Sequence, residues 1–346
     1  EPETIKIGAI LPLTGSGAFW GENAKKGILL ALEKINNRGG INKKRVEVLF
    51  EDSKSIPTGA INAFRKLVDI YNIQCAIVDM ISSNVLAIAP IAEEKKVVII
   101  SPGASSPDIT YAGEYTFRNW PSDALQGEEL AKIVIREGFK KVAILYIENA
   151  FGNSLKKVFT AVFEKNGGAV ILSESFKQGE TNFKSQIAKV KATNPQAIVL
   201  FTYPPEGVKL IKQLKEAGIN VQLFATAEIE DPSVLEIKGA ENLIYLMPES
   251  PDPSQKERAE FLELYKAKYG EEPGIVADVA YDAFNLLCKV IEENGYDGPA
   301  IQKGLLKIKD YKGASGTITF DENGDLIKPF IVKVIRNGKF TIYKHR

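Results

Sequence analysis

Short apolar runs alternate with segments of helical periodicity through most of this chain. Ile5-Lys6-Ile7-Gly8-Ala9-Ile10-Leu11 is almost continuously apolar, the pattern of a strand covered on both faces. A loop from Pro12 to Gly21 follows, and then a helix is expected from about Glu22 to Ile35. Its apolar stripe is Ala24, Ile28, Ala31, Leu32 and Ile35. Gly39-Gly40 stops it. Val46 to Phe50 reads as the next strand, and the helix after Pro57-Thr58 places Ala60, Phe64, Leu67 and Val68 on one face. The stretch from Ala76 to Asp108 repeats the unit. An apolar strand Ala76–Met80 gives way to Ile81-Ser82-Ser83-Asn84, a helical run reaches Glu94, and Val97–Ile100 breaks into Ser101-Pro102-Gly103-Ala104-Ser105-Ser106. Strand–helix alternation of this kind predicts a parallel sheet.

A second alternation begins near Ser122. Its strands are expected at Val142–Tyr146, Ala169–Phe176, Ala197–Phe201, Val221–Ala225 and Leu243–Met247, with helices between them. Each half opens with a lysine-bearing apolar strand, then a loop carrying Ala-Phe and a glycine (Ala18-Phe19 and Ala150-Phe151), then an amphipathic helix. Two similar α/β lobes are the economical reading. After Pro253 the pattern turns helical, over Lys256–Tyr269, Ile275–Glu293 and Pro299–Ile308. Those helices need a partner for their apolar faces, so they are expected to return to the first lobe. Thr317–Phe320 and Lys328–Ile335 are expected to pair antiparallel around the turn Asp321–Asp325. Asn337-Gly338 signals a hairpin before Phe340.

Composition narrows the chemistry. The chain has 346 residues, 44 basic and 44 acidic, with the signs mixed along it. Length suggests two domains, and without a basic stripe nucleic acid is not an expected partner. No apolar run reaches the length of a membrane span. Cys75 and Cys288 have no partner spacing, so buried free thiols are expected and no metal or cofactor. The single histidine, His345, sits at the C-terminus. Histidine dominates general acid–base catalysis and transition-metal ligation, so enzyme chemistry is disfavoured and no catalytic residue is assigned. The start, Glu1-Pro2-Glu3-Thr4, enters a strand at once, as a processed mature chain would.

Two serine clusters stand out. Ser82 and Ser83 fall where a strand hands over to a helix, with free N–H groups that favour an anion. Ser105 ends the next strand, and neighbouring parallel strands bring their C-terminal loops together, at the edge where open α/β sheets bind ligands. Helix capping and turn closure would also explain these serines. A dinucleotide-using enzyme is the rival in another class, because Gly15-Ser16-Gly17 follows the first strand. The third glycine of that fingerprint would fall on Trp20, whose ring would block a pyrophosphate.

Taken in order, several segments carry a wider likeness. They are Ile7–Gly15, Gly21-Glu22-Asn23, Ile35–Ile41, Glu51-Asp52-Ser53, Ile100–Ala104, Tyr115-Thr116-Phe117-Arg118, Phe151-Gly152 and Phe320–Asp325. At this spacing the chain resembles the periplasmic solute-binding proteins of the leucine/isoleucine/valine-binding family, receptors of ABC transporters. The resemblance implies a type I periplasmic-binding fold, two doubly wound parallel-sheet lobes joined by three crossovers. The lobes are expected at 1–120 plus 250–328 and at 121–249 plus 329–346, the first binding carboxylate and the second ammonium. It implies a monomeric extracytoplasmic receptor, lipid-anchored or free, that closes by a hinge on a small amino acid and hands it to a permease.

Site roles follow from the same resemblance. Ser82, with Ser83 beside it, would meet the ligand carboxylate. Ser105 would hold the carboxylate through its hydroxyl and N–H and the ammonium through its carbonyl. Gly103, next to Ala104, would give a second carbonyl. Glu228 would pair with the ammonium, Tyr203 would close over the ligand, and Trp20 and Phe151 would form aromatic walls. Ser105 stands where the family has threonine, and Met80-Ile81 replaces a Leu-Cys pair, so the side-chain pocket does not transfer. An α-keto or aromatic carboxylic acid is the alternative ligand. Glu228 separates the two classes, because it would repel an acid that lacks an ammonium.

Overall fold

A computed structural model describes residues 4–344; His345, and Glu1, Pro2 and Glu3 of the start expected to be processed, lie outside the described residues. The chain divides into two compact units, Glu1–Pro121 with Ser250–Lys328, and Ser122–Glu249 with Pro329–Arg346, so it passes between them three times.

The first unit opens with Ile5–Leu11 (β1), Ala18–Asn37 (α1), Val46–Asp52 (β2), Pro57–Asp69 (α2), Cys75–Ile77 (β3), Ser82–Lys95 (α3) and Val98–Ser101 (β4). A 3-10 turn at Pro107–Tyr111 leads to Thr116–Arg118 (β5). The second unit runs Asp123–Arg136 (α4), Lys141–Ile147 (β6), Ala150–Lys165 (α5), Ala169–Phe176 (β7) and Lys184–Thr193 (α6). It continues with Ala197–Phe201 (β8), Pro204–Glu216 (α7), Gln222–Ala225 (β9), the single turn Pro232–Leu235 (α8) and Ile244–Pro248 (β10). Lys256–Tyr269 (α9), Ala277–Asn294 (α10), Gly298–Leu306 (α11), Tyr311–Gly313 (β11) and Gly316–Ile318 (β12) return to the first unit. Phe330–Arg336 (β13) and Lys339–Ile342 (β14) rejoin the second.

The first sheet has the order β2-β1-β3-β4-β5, with every pairing parallel. One of its faces is sealed by α2 and α3, where Phe64, Leu67, Val85 and Ile88 pack on Ile10, Val78 and Ile99 with no exposure. On the other side α10 lies along α1, as the apolar late helices required. The second sheet has the order β14-β13-β10-β9-β8-β6-β7. Its five inner and far strands are parallel, whereas β13 pairs antiparallel with both β10 and β14. In each sheet the strand order reverses at one point, between β1 and β3 and between β6 and β8. The loops leaving those strands define the crevice where such sheets hold ligands.

Three expectations need correction. Helix α1 begins at Ala18, not Glu22, so Trp20 lies in a helical turn rather than a loop. Gly21 permits this, since a Cβ there would stand 2.1 Å from the Pro12 carbonyl oxygen. Strand β3 ends at Ile77 because the Asp79 carboxylate turns back onto the following N–H groups. The expected pair of Thr317–Phe320 with Lys328–Ile335 does not form. β12 pairs with β11, and β13 extends the second sheet; only the bridge Phe320–Leu326 spans the turn. The Ile331, Val332 and Val334 run reaches a longer partner in β10 than the three-residue β12 could offer. Asn337 and Gly338 do form the hairpin turn, at φ 53° and 65°.

Candidate functional site

In the first unit the expected residues converge at the C-terminal ends of β3 and β4. Asp79 is buried and organises the turn into α3. Its carboxylate accepts from Ile81 N–H at 2.8 Å, from Asn84 Nδ2 at 2.9 Å and from the Ser53 hydroxyl. Burial pushes its carboxyl up to about 6 against the pull of those donors. The neighbouring loop is stapled to the same turn by Ser101, whose hydroxyl donates to the Asp79 carbonyl at 2.6 Å. That hydroxyl in turn accepts from Ala104 N–H at 2.9 Å and Gly103 N–H at 3.3 Å. Gly103 is packed so closely on Met80 that a Cβ would stand 2.6 Å from its Cγ.

Ser82, the first residue of α3, does not cap its own helix. Its Oγ reaches across and accepts two backbone N–H groups, from Ser105 at 3.2 Å and Ser106 at 3.1 Å. A hydroxyl has two lone pairs and one proton. With both lone pairs engaged, what Ser82 has left to offer is its proton, and a proton donor at a helix N-terminus suits an anionic acceptor. Ser83 is half-buried in the same helical turn. The Ser105 N–H, expected on a ligand carboxylate, is thus directed at Ser82. The Ser105 carbonyl, expected on an ammonium, accepts from Arg118 Nη1 at 3.1 Å. A second cation on that oxygen would meet like-charge repulsion.

In the sequence Arg118 is only the last residue of the Tyr115–Arg118 segment. It is fully buried, and its guanidinium grips Asp325 with both arms, Nε to Oδ1 at 2.7 Å and Nη2 to Oδ2 at 2.6 Å. The same group reaches the Ser106 carbonyl at 2.8 Å and the Thr110 hydroxyl at 2.7 Å. Trp20 is buried in the first turn of α1, on the loop side of β1.

In the second unit, Phe151 and Tyr203 stack at 5.2 Å and 23°, one from the start of α5 and one from the turn into α7. Asn149 caps α5 by accepting from Gly152 N–H at 3.0 Å, and its amide donates to the Tyr203 hydroxyl at 3.2 Å. Gly152 repeats the role of Gly21, because a Cβ would lie 2.0 Å from the Ile147 carbonyl oxygen. Glu228 follows β9 and is only 8% exposed. Burial raises its pKa, while the Thr226 hydroxyl, its own backbone N–H and Gln126 pull the other way. The Gln126 amide is long, at 3.5 Å, and its Oε1 is buried without a hydrogen-bond partner. Gln126 was not anticipated, since on sequence it is one polar position in the periodic helix α4.

Both cysteines are buried and unpaired, and among the described residues no group of three or more His, Cys, Asp or Glu side chains could hold a metal ion. No helix among them is long and apolar enough to cross a membrane.

Comparison with known proteins agrees with this architecture. Residues 4–339 match the family model described as periplasmic binding protein, and the chain belongs to that family. The leucine-, isoleucine-, valine-, threonine- and alanine-binding protein of Pseudomonas aeruginosa is 28% identical, over 99% of this chain and 90% of that protein. Among solved structures, the leucine-binding protein LivK of Thermotoga maritima superposes with a TM-score of 0.93 at 31% identity, covering 98% of each chain. The branched-chain amino-acid substrate-binding protein LivJ of Streptococcus pneumoniae, in complex with isoleucine, gives 0.91 at 27% identity over 99% of this chain and 100% of that one.

Proposed function

We propose that this protein is an extracytoplasmic, non-enzymatic receptor that binds a small apolar amino acid and delivers it, as a monomer, to the permease of an ABC transporter. The two units act on one ligand by closing on it. The first takes the carboxylate on the Ser82 hydroxyl, with Ser83, Gly103, Ala104 and Ser105 shaping the loop. The second supplies Glu228 for the ammonium, with Tyr203 and Phe151, and Trp20 from the first unit, as aromatic cover. The observation that carries this reading is the pair of opposite poles. Ser82 has its lone pairs filled and a proton to donate, and Glu228 is a buried carboxylate beside the orphaned Gln126 Oε1. A zwitterion removed from water needs donors at one end and acceptors at the other. Relatives that bind leucine and isoleucine support the ligand class.

A thermal-shift screen against L-amino acids and their keto-acid and benzoate analogues tests it, because a ligand that binds only the folded state raises the midpoint by mass action. L-Leucine, L-isoleucine or L-valine should give the largest shift. Stabilisation by a keto acid or benzoate with none by any amino acid would replace the amine reading with the carboxylic-acid one.

A further inference from the structure

We propose that Arg118, held by Asp325, is a positioning residue for the anion-binding end of the site, acting through the Ser105–Ser106 peptide group. The described chain has no cis peptide bond, so the carbonyl and N–H of each peptide group point in opposite directions. On one side of the Ser105–Ser106 group the carbonyl accepts from Arg118 Nη1 at 3.1 Å, and on the other the N–H donates to Ser82 Oγ at 3.1 Å. The guanidinium fixes the plane of that peptide, and its charge polarises the peptide so that the N–H end becomes the stronger donor. Ser82 receives that bond and passes the polarisation on to its own O–H. Arg118 therefore works on the ligand's anionic group at second hand.

The geometry is over-determined in a way that packing alone would not require. Ser106 offers a second carbonyl at 2.8 Å, and it precedes Pro107, whose nitrogen has no proton to compete for the loop. Thr110 closes the ring by donating to Asp325 Oδ2 at 2.6 Å while accepting from Nη2. Asp325 neutralises the buried charge and aims it. Lysine carries the same charge but is a compact point donor that cannot reproduce the two-armed grip.

The proposal rests on the receptor reading only for the identity of the anion, so two readouts are used on Arg118→Lys. The first is the backbone amide resonances of Ser105 and Ser106 in protein without added ligand. The second is calorimetric affinity for L-leucine, alone and in a Ser82→Ala background. Both amide resonances should move, and affinity should fall about tenfold. That loss should shrink at least severalfold once Ser82 is absent, because the two residues act in series. A folded Arg118→Lys protein with unmoved Ser105 and Ser106 resonances would overturn the proposal, as would a loss of affinity that adds in full to that of Ser82→Ala. If Arg118→Lys does not fold, Thr110→Val, which removes one tie on the guanidinium, is read by the same criteria. If the unmodified protein binds no L-leucine, the receptor reading loses that ligand, and the resonances alone decide the positioning role.

Discussion

Asp79 and Glu228 are buried carboxylates that each follow a parallel strand, one in either unit, and burial raises the pKa of both. Their partners differ. Asp79 is saturated by its own unit, with the Ile81 N–H and the Asn84 amide from the turn that follows it and the Ser53 hydroxyl from the loop after β2. Glu228 has the Thr226 hydroxyl, its own N–H and one long contact from Gln126. The first carboxylate builds the loop and has little capacity left for anything else. The second is desolvated with less return, which is what its proposed role as the ammonium partner would need. Under that proposal, local saturation separates scaffold from site better than burial does.

The largest effect should come from breaking the saturated member. Asp79→Ala strands three buried donors and should destabilise the first unit by about 3 kcal/mol, read by urea unfolding. A loss below about 1 kcal/mol would show that the network is not what holds the turn. The pH dependence has a defined sign. An aspartate titrates near 3.9 when unfolded and Asp79 at about 6 when folded, so between those values the folded state holds the extra proton. Its contribution to stability falls as pH rises from about 4 to about 6 and is constant above. Asp79→Asn should flatten that window by on the order of 2–3 kcal/mol.

Glu228→Gln should behave oppositely. It removes a desolvated charge, so stability without ligand should hold or rise, while affinity for L-leucine falls at least about tenfold, or roughly 1.4 kcal/mol. Unchanged affinity in calorimetry would remove the ammonium assignment. Because its pKa is raised, protons compete with the ammonium. Acidification should weaken amino-acid binding in the unmodified protein and much less in Glu228→Gln, whereas an acid lacking an amine should bind better as Glu228 is protonated. The smallest effect is expected from Tyr203→Phe. It keeps the stack on Phe151 but loses the Asn149 bond, for about 1 kcal/mol of second-unit stability.

Much of this was legible in the chain itself. The strand–helix alternation, the Ala-Phe-glycine echo and the Asn337-Gly338 turn are local signals, and local chemistry enforces them. Ser82 and Ser105 could be placed at adjacent strand ends by the order of elements alone. What pattern could not show was pairing across distance. Nothing in periodicity says that Arg118 meets Asp325, or that β13 leaves its sequence neighbour for β10. The start of α1 was misplaced because a glycine-rich stretch reads as loop, when here Gly21 serves a close contact inside a helix. Gln126 left no trace beyond being one polar residue on the face of α4 that Gly127, Leu130 and Val134 bury.

Both units borrow elements from the far end of the polypeptide, α10 for the first and the β13–β14 hairpin for the second. Neither half can finish as it leaves the ribosome. Until residues 330–342 emerge, β10 presents a row of unpaired amides and carbonyls, an open template for a foreign strand. Severing the chain at 329 should therefore leave a sticky fragment rather than a free-standing lobe.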